Sequence, residues 1–239
     1  MYINGEEVFT GDVVEQVMPH DHSHVIARVH MAGGKEVKAA IDAALDAHKM
    51  WSTMPWESRC AIFLKASELL AGPRRAEINA STMLNQSKTC HQAEIDSACE
   101  LIDFWRFNSD YCRQIYEDLQ PPVSPSSMWN SSEVRPLEGF VFSVTPFNFS
   151  SIAANLPSSA AIMGNTGVWK PSRNSYVSNY RLMKLMMDAG LPAGVINFIP
   201  GKASVVGDIC MSHPELAGVH FTGSTAVFRK MWKDIACLL

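Results

Sequence analysis

The sequence predicts an α/β fold, in which a Rossmann-like parallel sheet with crossover helices follows a helical N-terminal part. Two observations predict it. From residue 139 onwards, short apolar runs alternate with helical patterns, separated by loops rich in glycine, proline and small polar residues. Strands and helices that alternate at this spacing form parallel sheets. Between about residues 37 and 119, apolar residues instead recur at helical spacing, interrupted only by short loops.

The composition is that of an ordinary globular protein. Of the 239 residues, 47% are hydrophobic and 18% charged, and the formal net charge is -4. This charge favours neither a nucleic acid nor an anionic membrane as partner, and no apolar run approaches the roughly 18 residues of a spanning helix. The first residues match neither a signal peptide nor a transit peptide. The six cysteines form no CxxC pair, which predicts reduced thiols, mostly in the core.

The N-terminal region, residues 1–119, is predicted to contain short strands followed by helices. Residues 1–30 alternate polar and apolar residues in short runs, which indicates short strands. Helical patterns follow near 37–47, 58–70 and 74–85, with Pro55 between the first two. A longer helical pattern without proline or glycine runs from about 89 to 119.

A Pro/Ser-rich stretch, residues 120–137, separates this region from the sheet and cannot form a helix. It is either a flexible linker or an extended arm. In the core, residues 138–239, strands are predicted at 140–145, 167–170, 195–199 and 217–221, each followed by a helix. The last helix is predicted to run from Ser224 to the end with no strand after it. We therefore expect the sheet to lack its last strand.

Three loops at the C-terminal ends of predicted strands are candidate ligand sites, because ligands of open α/β sheets bind there. They span residues 145–150, 170–172 and 221–225. The last places Gly223 and two hydroxyls at a helix N-terminus, which suits a pyrophosphate, although Ser224 could equally be an ordinary N-cap. The usual GxGxxG dinucleotide signature is absent. Gly33-Gly34 lacks the preceding strand and the spacing of a phosphate loop.

A second candidate is the cluster of His20, His22 and His24, which alternation along an extended chain would place on one side. Closely spaced histidines can hold a metal. The sequence suggests no cysteine or carboxylate partner for them, so we predict a solvated surface loop and no metal site.

Four segments, taken in order, resemble the aldehyde dehydrogenase superfamily. They correspond to its P-[WF]-N-[FY], GNxxxxKPS, AGLPxGVxxxVxG and FTGS motifs and lie at residues 146–149, 164–172, 189–201 and 221–224. The stretches 72–78, 92–96, 100–108 and 228–233 further resemble the Δ1-pyrroline-5-carboxylate (glutamate semialdehyde) dehydrogenases. The chain departs from the superfamily pattern at Phe147, where many members have Trp, and at Phe228, where many have Gly.

The resemblance implies a fold with a cofactor domain, a catalytic domain and an oligomerisation arm. Residues 120–137 would begin the arm, and the complete protein would be a homo-oligomer. The cofactor would be NAD, and the substrate the small aldehyde L-glutamate γ-semialdehyde, oxidised to glutamate. The location would be the mitochondrial matrix, or the cytoplasm of a bacterium.

The resemblance also implies individual roles. Asn148 would donate its side-chain amide to the oxyanion formed when a thiolate attacks the aldehyde. Lys170 would hold hydroxyls of the adenosine ribose, and Thr145 would contact NAD beside the first strand. The pyrophosphate would lie against the start of the last helix, at Gly223, Ser224, Thr225, Ala226 and Val227.

Two essentials of that chemistry are missing from the sequence. The nucleophile would be a cysteine in a Gly-Gln-x-Cys context and the base a glutamate in a Glu-Leu/Cys-Gly-Gly context, and neither occurs. Cys237, which ends an amphipathic pattern, is not predicted to be the nucleophile. We therefore expect the chain alone to be inactive and the catalytic domain to lie beyond it. Two alternatives remain open: a dehydrogenase for another aldehyde, and a non-catalytic protein that binds nucleotide or a partner subunit.

Overall fold

The structure is a computed structural model that describes residues 1–237, so residues 238 and 239 of the predicted last helix lie outside the described part. Its strands are β1 (Tyr2–Ile3), β2 (Glu6–Glu7), β3 (Val13–Met18), β4 (Asp21–His30), β5 (Phe140–Val144), β6 (Gly167–Lys170), β7 (Ile196–Phe198) and β8 (Leu216–Phe221). Its helices are α1 (Gly34–Trp51), α2 (Trp56–Ala71), α3 (Arg75–Gln86), α4 (Cys90–Ala93), α5 (Leu101–Glu117), α6 (Ser150–Ile162), α7 (Tyr176–Asp188), α8 (Ala203–Met211) and α9 (Thr225–Ala236).

The main sheet confirms the predicted α/β fold. Its strand order is β2-β1-β7-β6-β5-β8, and the four strands β7, β6, β5 and β8 run parallel. Crossover helices connect them, as the alternating pattern predicted. The N-terminal strands β1 and β2 extend this sheet in antiparallel orientation, with Tyr2 opposite Phe198. The sequence predicted short strands here but not their place in the sheet.

Two apolar cores lie on the two faces of the sheet, because neighbouring residues of a strand point to opposite faces. Val168 packs with residues of α1 and α8, whereas Trp169 packs with residues of α2, α5, α6 and α7. Buried residues of α1, such as Ile41, are those that the helical pattern predicted to be apolar. The cores therefore fix β6, and with it the loop that follows, from both sides.

The predicted long helix between residues 89 and 119 is interrupted. A π-helical segment, Glu94–Glu100, separates α4 from α5. A π turn holds more residues than an α turn, so it rotates the side chains that follow and is frequent at functional sites. The apolar periodicity of the sequence does not reveal this change.

The histidine cluster belongs to a two-stranded hairpin of β3 and β4, apart from the main sheet. His20 lies in its turn, while His22 and His24 lie in β4, and all three are exposed. The prediction of a surface loop is therefore wrong for His22 and His24, which the pairing with β3 draws into a strand. Among residues 1–237, no group of three or more His, Cys, Asp or Glu side chains could hold a metal ion.

The remaining regions follow the sequence closely. Residues 120–137 carry no helix or strand and are mostly exposed, with Trp129 89% exposed. The six cysteines are unpaired, but only Cys60, Cys112 and Cys210 are buried, so the prediction of mostly buried thiols holds for half of them. In the described part of the chain, none of the helices has the length and hydropathy to cross a membrane.

Candidate functional site

The loops after β5, β6 and β8 lie side by side at one edge of the sheet. The register places Val144 between Lys170 and Phe221. Beyond the strands, the backbone N–H of Thr145 donates to the Lys170 carbonyl at 3.3 Å, and that of Thr222 to the Val144 carbonyl at 3.2 Å. The three candidate loops therefore form one continuous surface.

The side chain of Thr145 is used within the protein. It is 4% exposed, and its hydroxyl accepts a hydrogen bond of 2.9 Å from the indole Nε1 of Trp169. This bond gives the buried indole N–H an acceptor. A buried donor without an acceptor would lower the stability of the fold. A ligand at this edge would meet the loop after Thr145 rather than the hydroxyl.

Lys170, at the end of β6, has a largely buried ammonium group. Its Nζ donates to the Pro171 carbonyl at 3.2 Å, the one hydrogen bond found for it among residues 1–237. Burial lowers the pKa of this lysine. An ammonium carries three donors, so Lys170 retains donors for hydroxyl groups of a ligand at the sheet edge.

The start of α9 combines a helix cap with free backbone amides. The Ser224 hydroxyl accepts from the Val227 N–H at 3.3 Å, so the N-cap interpretation of Ser224 is confirmed and the Val227 amide is occupied. The side chains of 223–227 are exposed. A β-carbon at position 223 would lie 2.6 Å from the tip of the Phe221 ring, so a larger residue in place of Gly223 would require that ring to move. The Thr225 and Ala226 amides of the first turn are therefore the groups that would meet an anion.

Asn148 lies in the loop between β5 and α6, with its side chain exposed. Its backbone carbonyl accepts a hydrogen bond from Lys88 Nζ, while no partner for its side-chain amide is found within residues 1–237. Asn148 and Phe147 line a cleft of about 560 Å³ together with residues of the β3–β4 hairpin, the end of α3 and Arg173. The amide is thus available to a molecule in the cleft.

Sequence reasoning missed a buried carboxylate next to this loop. Asp96, in the π-helical segment, is 2% exposed. It accepts hydrogen bonds from the backbone N–H groups of Ser150 and Ser151, at 3.1 Å each, and from Lys88 Nζ at 2.5 Å. At α-helical spacing Asp96 would lie opposite the apolar residues Ala98, Leu101 and Trp105, so the sequence pattern gave no signal for its burial.

Two arginines of the stretch 72–78, which resembles the family subgroup, have structural partners. Arg74 forms ion pairs with Glu77 and Asp188. Arg75 binds Glu94 of the π-helical segment, with 2.8 Å between Nε and Oε1, and lowers the pKa of that carboxyl to about 2. These contacts join α3 to the π-helical segment and α7.

Two further candidates lie away from the sheet edge. The backbone N–H of Gly33 is occupied by the Glu36 carboxylate at 2.9 Å, which agrees with the prediction that Gly33-Gly34 is no phosphate loop. Cys237 follows α9 at the end opposite to Gly223, about 18 Å away at 1.5 Å per helical residue. The Cys237 thiol is therefore remote from the edge of the sheet at which the loop of Asn148 lies.

Comparison with known proteins places the chain in a family. The model described as "Aldehyde dehydrogenase family" matches residues 8–238, and the chain belongs to that family. It is 48% identical, over 98% of its length, to the probable delta-1-pyrroline-5-carboxylate dehydrogenase of Schizosaccharomyces pombe. The mitochondrial delta-1-pyrroline-5-carboxylate dehydrogenase of Homo sapiens is 44% identical over 98% of this chain.

The fold is shared with solved structures. The Delta-pyrroline-5-carboxylate dehydrogenase from Mycobacterium tuberculosis bound with NAD is 47% identical, with a TM-score of 0.96 over 98% of this chain and 44% of that one. The 1-pyrroline-5-carboxylate dehydrogenase from Thermus with bound NAD is 30% identical, with a TM-score of 0.91 over 98% of this chain and 45% of that one. The chain spans only 42% and 41% of the S. pombe and human proteins.

Proposed function

We propose that the chain supplies the cofactor-binding and oxyanion-stabilising groups of an NAD-dependent dehydrogenase that oxidises L-glutamate γ-semialdehyde to glutamate, in the catabolism of proline. The observation that carries this proposal is the strand register that brings Thr145, Lys170 and Phe221 to one edge of the sheet. The names of the relatives, with 42–48% identity, support the substrate.

The sheet edge fits NAD through groups that the protein leaves free. Bound NAD would supply the hydride acceptor. Lys170 would donate to hydroxyls of the adenosine ribose, since its buried ammonium has donors to spare. The first-turn amides at Thr225 and Ala226 would face the pyrophosphate, with Gly223, Ser224 and Val227 shaping the loop around them. The loop that follows Thr145 would contact the nicotinamide end of NAD.

Asn148 would act on the substrate. A thiolate that attacks the aldehyde carbon converts the carbonyl oxygen into an anion, and a donor fixed in advance stabilises that charge as it grows. The exposed Asn148 amide would be that donor, and it carries no charge of its own. The nucleophilic cysteine and the basic glutamate would lie in the part of the relatives' length that this chain does not span. A protein of that length that contains this chain is the full-length enzyme.

By the same resemblance, the full-length enzyme would be a homo-oligomer, with residues 120–137 at the start of its arm. It would work in the mitochondrial matrix, or in the cytoplasm of a bacterium. Mitochondrial names among the relatives support the first location.

Two variants of the full-length enzyme test the proposal. Asn148→Ala should lower kcat on glutamate semialdehyde by on the order of 10²–10³ with little change in NAD affinity. Lys170→Ala should weaken NAD binding, with a smaller effect on the chemical step. Asn174→Ala is the control, because Asn174 is exposed and lines the same cleft.

The readouts are pre-steady-state hydride transfer and calorimetric NAD binding, with folding checked by circular dichroism. A folded Asn148→Ala enzyme with an unchanged hydride-transfer burst would remove Asn148 from the mechanism. Comparison of kcat/KM for glutamate semialdehyde with that for simple aliphatic aldehydes tests the substrate. Equal values would favour a dehydrogenase for another aldehyde.

A further inference from the structure

The buried carboxylate of Asp96 caps a helix to which it does not belong. The N-cap of α6 is Phe149, whose side chain has no acceptor for the free N–H groups of the first turn. Asp96 accepts from the first two of these, at Ser150 and Ser151, and lies 2.9 Å from the Ser151 hydroxyl, whose single proton it shares with Glu100. A carboxylate at a helix N-terminus is favoured by both hydrogen bonding and the helix dipole.

Lys88 links this carboxylate to the loop that carries Asn148. Its Nζ donates to Asp96 Oδ2 and to the Asn148 backbone carbonyl, at 2.5 Å in each case. The same ammonium lies 4.5 Å from the centre of the Phe149 ring. The Asp96–Lys88 pair thus fixes the end of the loop, while the Thr145 N–H to Lys170 carbonyl bond fixes its beginning.

Burial gives this pair its rigidity. The side chains of Lys88 and Asp96 are 17% and 2% exposed. A buried carboxylate is stable only when its acceptor sites are filled, and here both oxygens of Asp96 are hydrogen-bonded. Removal of either partner would leave the other charge without its counter-ion, so the pair stabilises the position of the loop next to Asn148.

We propose that Asp96, acting through Lys88 and the start of α6, is a positioning residue that holds the Asn148 amide where it can donate to an oxyanion. This inference rests on the proposed function of Asn148. The π-helical segment is what brings Asp96 to α6, whereas its neighbour Glu94 faces Arg75 and Asn79. Asp96 need not touch the substrate.

The kinetic test uses Asp96→Asn and Lys88→Met in the full-length enzyme. Each should lower kcat by about 10- to 100-fold, because small misplacements of a catalytic group cost that much, while NAD affinity stays within about twofold of the parent. Glu94→Gln is the matched control, since it removes a carboxylate from the same segment on the side away from the loop. If Asp96→Asn does not fold, Lys88→Met decides the question.

Each kinetic variant is also made in the Asn148→Ala background. If Asp96 acts by positioning Asn148, Asp96→Asn should lower kcat little further there, whereas a purely structural role would lower it equally in both backgrounds. An unchanged kcat in Asn148→Ala alone would overturn the proposed function. A normal kcat in folded Asp96→Asn and Lys88→Met, with a low one in Asn148→Ala, would overturn only this inference.

Hydrogen exchange gives a readout independent of activity and NAD. Asp96→Asn should raise the amide exchange rates of Ser150 and Ser151 by on the order of tenfold, as measured by mass spectrometry on peptides covering 148–152. Glu94→Gln should leave them unchanged. Unchanged exchange in Asp96→Asn would show that the carboxylate does not hold the loop.

Discussion

The indole N–H of Trp169 donates a hydrogen bond of 2.9 Å to the hydroxyl of Thr145, at the edge of the sheet that carries the three candidate loops. Both side chains are buried. The bond therefore ties the ends of β5 and β6 together directly beneath the three loops, and it can be broken without changing the size of either side chain.

Thr145→Val should destabilise the protein by about 1–3 kcal/mol, because it leaves the buried indole N–H without an acceptor. Thr145→Ser keeps the hydroxyl and should cost clearly less. Urea unfolding monitored by tryptophan fluorescence compares the two. An equal loss of stability in both variants would mean that the methyl group, and not the hydrogen bond, matters.

Lys170→Met should not lower stability at neutral pH, since burial of the ammonium is unfavourable and lowers its pKa. In the unchanged protein, the folded state binds fewer protons than the unfolded state between that lowered pKa and the ordinary value of about 10.4. Stability of the parent should therefore rise relative to Lys170→Met as pH rises through this window. Denaturant unfolding at several pH values measures the free energy of unfolding of both proteins. A difference between them that does not change with pH would contradict this prediction.

The 239-residue chain by itself should oxidise no aldehyde, because it lacks both sequence contexts that the reaction requires. A stopped assay with glutamate semialdehyde and NAD tests this. Sustained NADH production that survives replacement of all its cysteines would exclude the thiolate mechanism. Production that is lost in Cys237→Ser would show that this thiol, despite its place beyond α9, is the nucleophile.

The same chain should associate in solution. Val227, Phe228 and Trp232 on α9 are exposed, the last by 68%, and β8 lies at the edge of the sheet. Exposed apolar patches and unpaired strand edges favour association. Trp232→Lys should shift the sedimentation profile towards the monomer. A monodisperse parent chain with a cooperative thermal transition would contradict the prediction.

Local patterns sufficed to predict most elements of this fold. The four parallel strands and the crossover helices follow from short-range periodicity, and the common edge of the three candidate loops from the rule that carboxyl ends of parallel strands share an edge. The capping role of Ser224 was also visible in the sequence, because a cap depends on residues three apart.

What the sequence did not predict depends on contacts between distant residues. The place of β1 beside β7 depends on the pairing of Tyr2 with Phe198. The role of Asp96 depends on a π turn and on Ser150, far along the chain. His22 and His24 lie in a strand only because β3 pairs with β4. Such pairings leave little trace in hydrophobic periodicity.

The antiparallel pairing of Tyr2 with Phe198 delays the addition of β1 to the parallel strands during synthesis. The first strand leaves the ribosome early, but its partner follows roughly 200 residues later, which takes on the order of 10–40 s at typical translation rates. Until then β1 has no neighbour other than β2. The strand β1 therefore joins the sheet only after β5, β6 and β7 have been made, although it precedes all three in the chain.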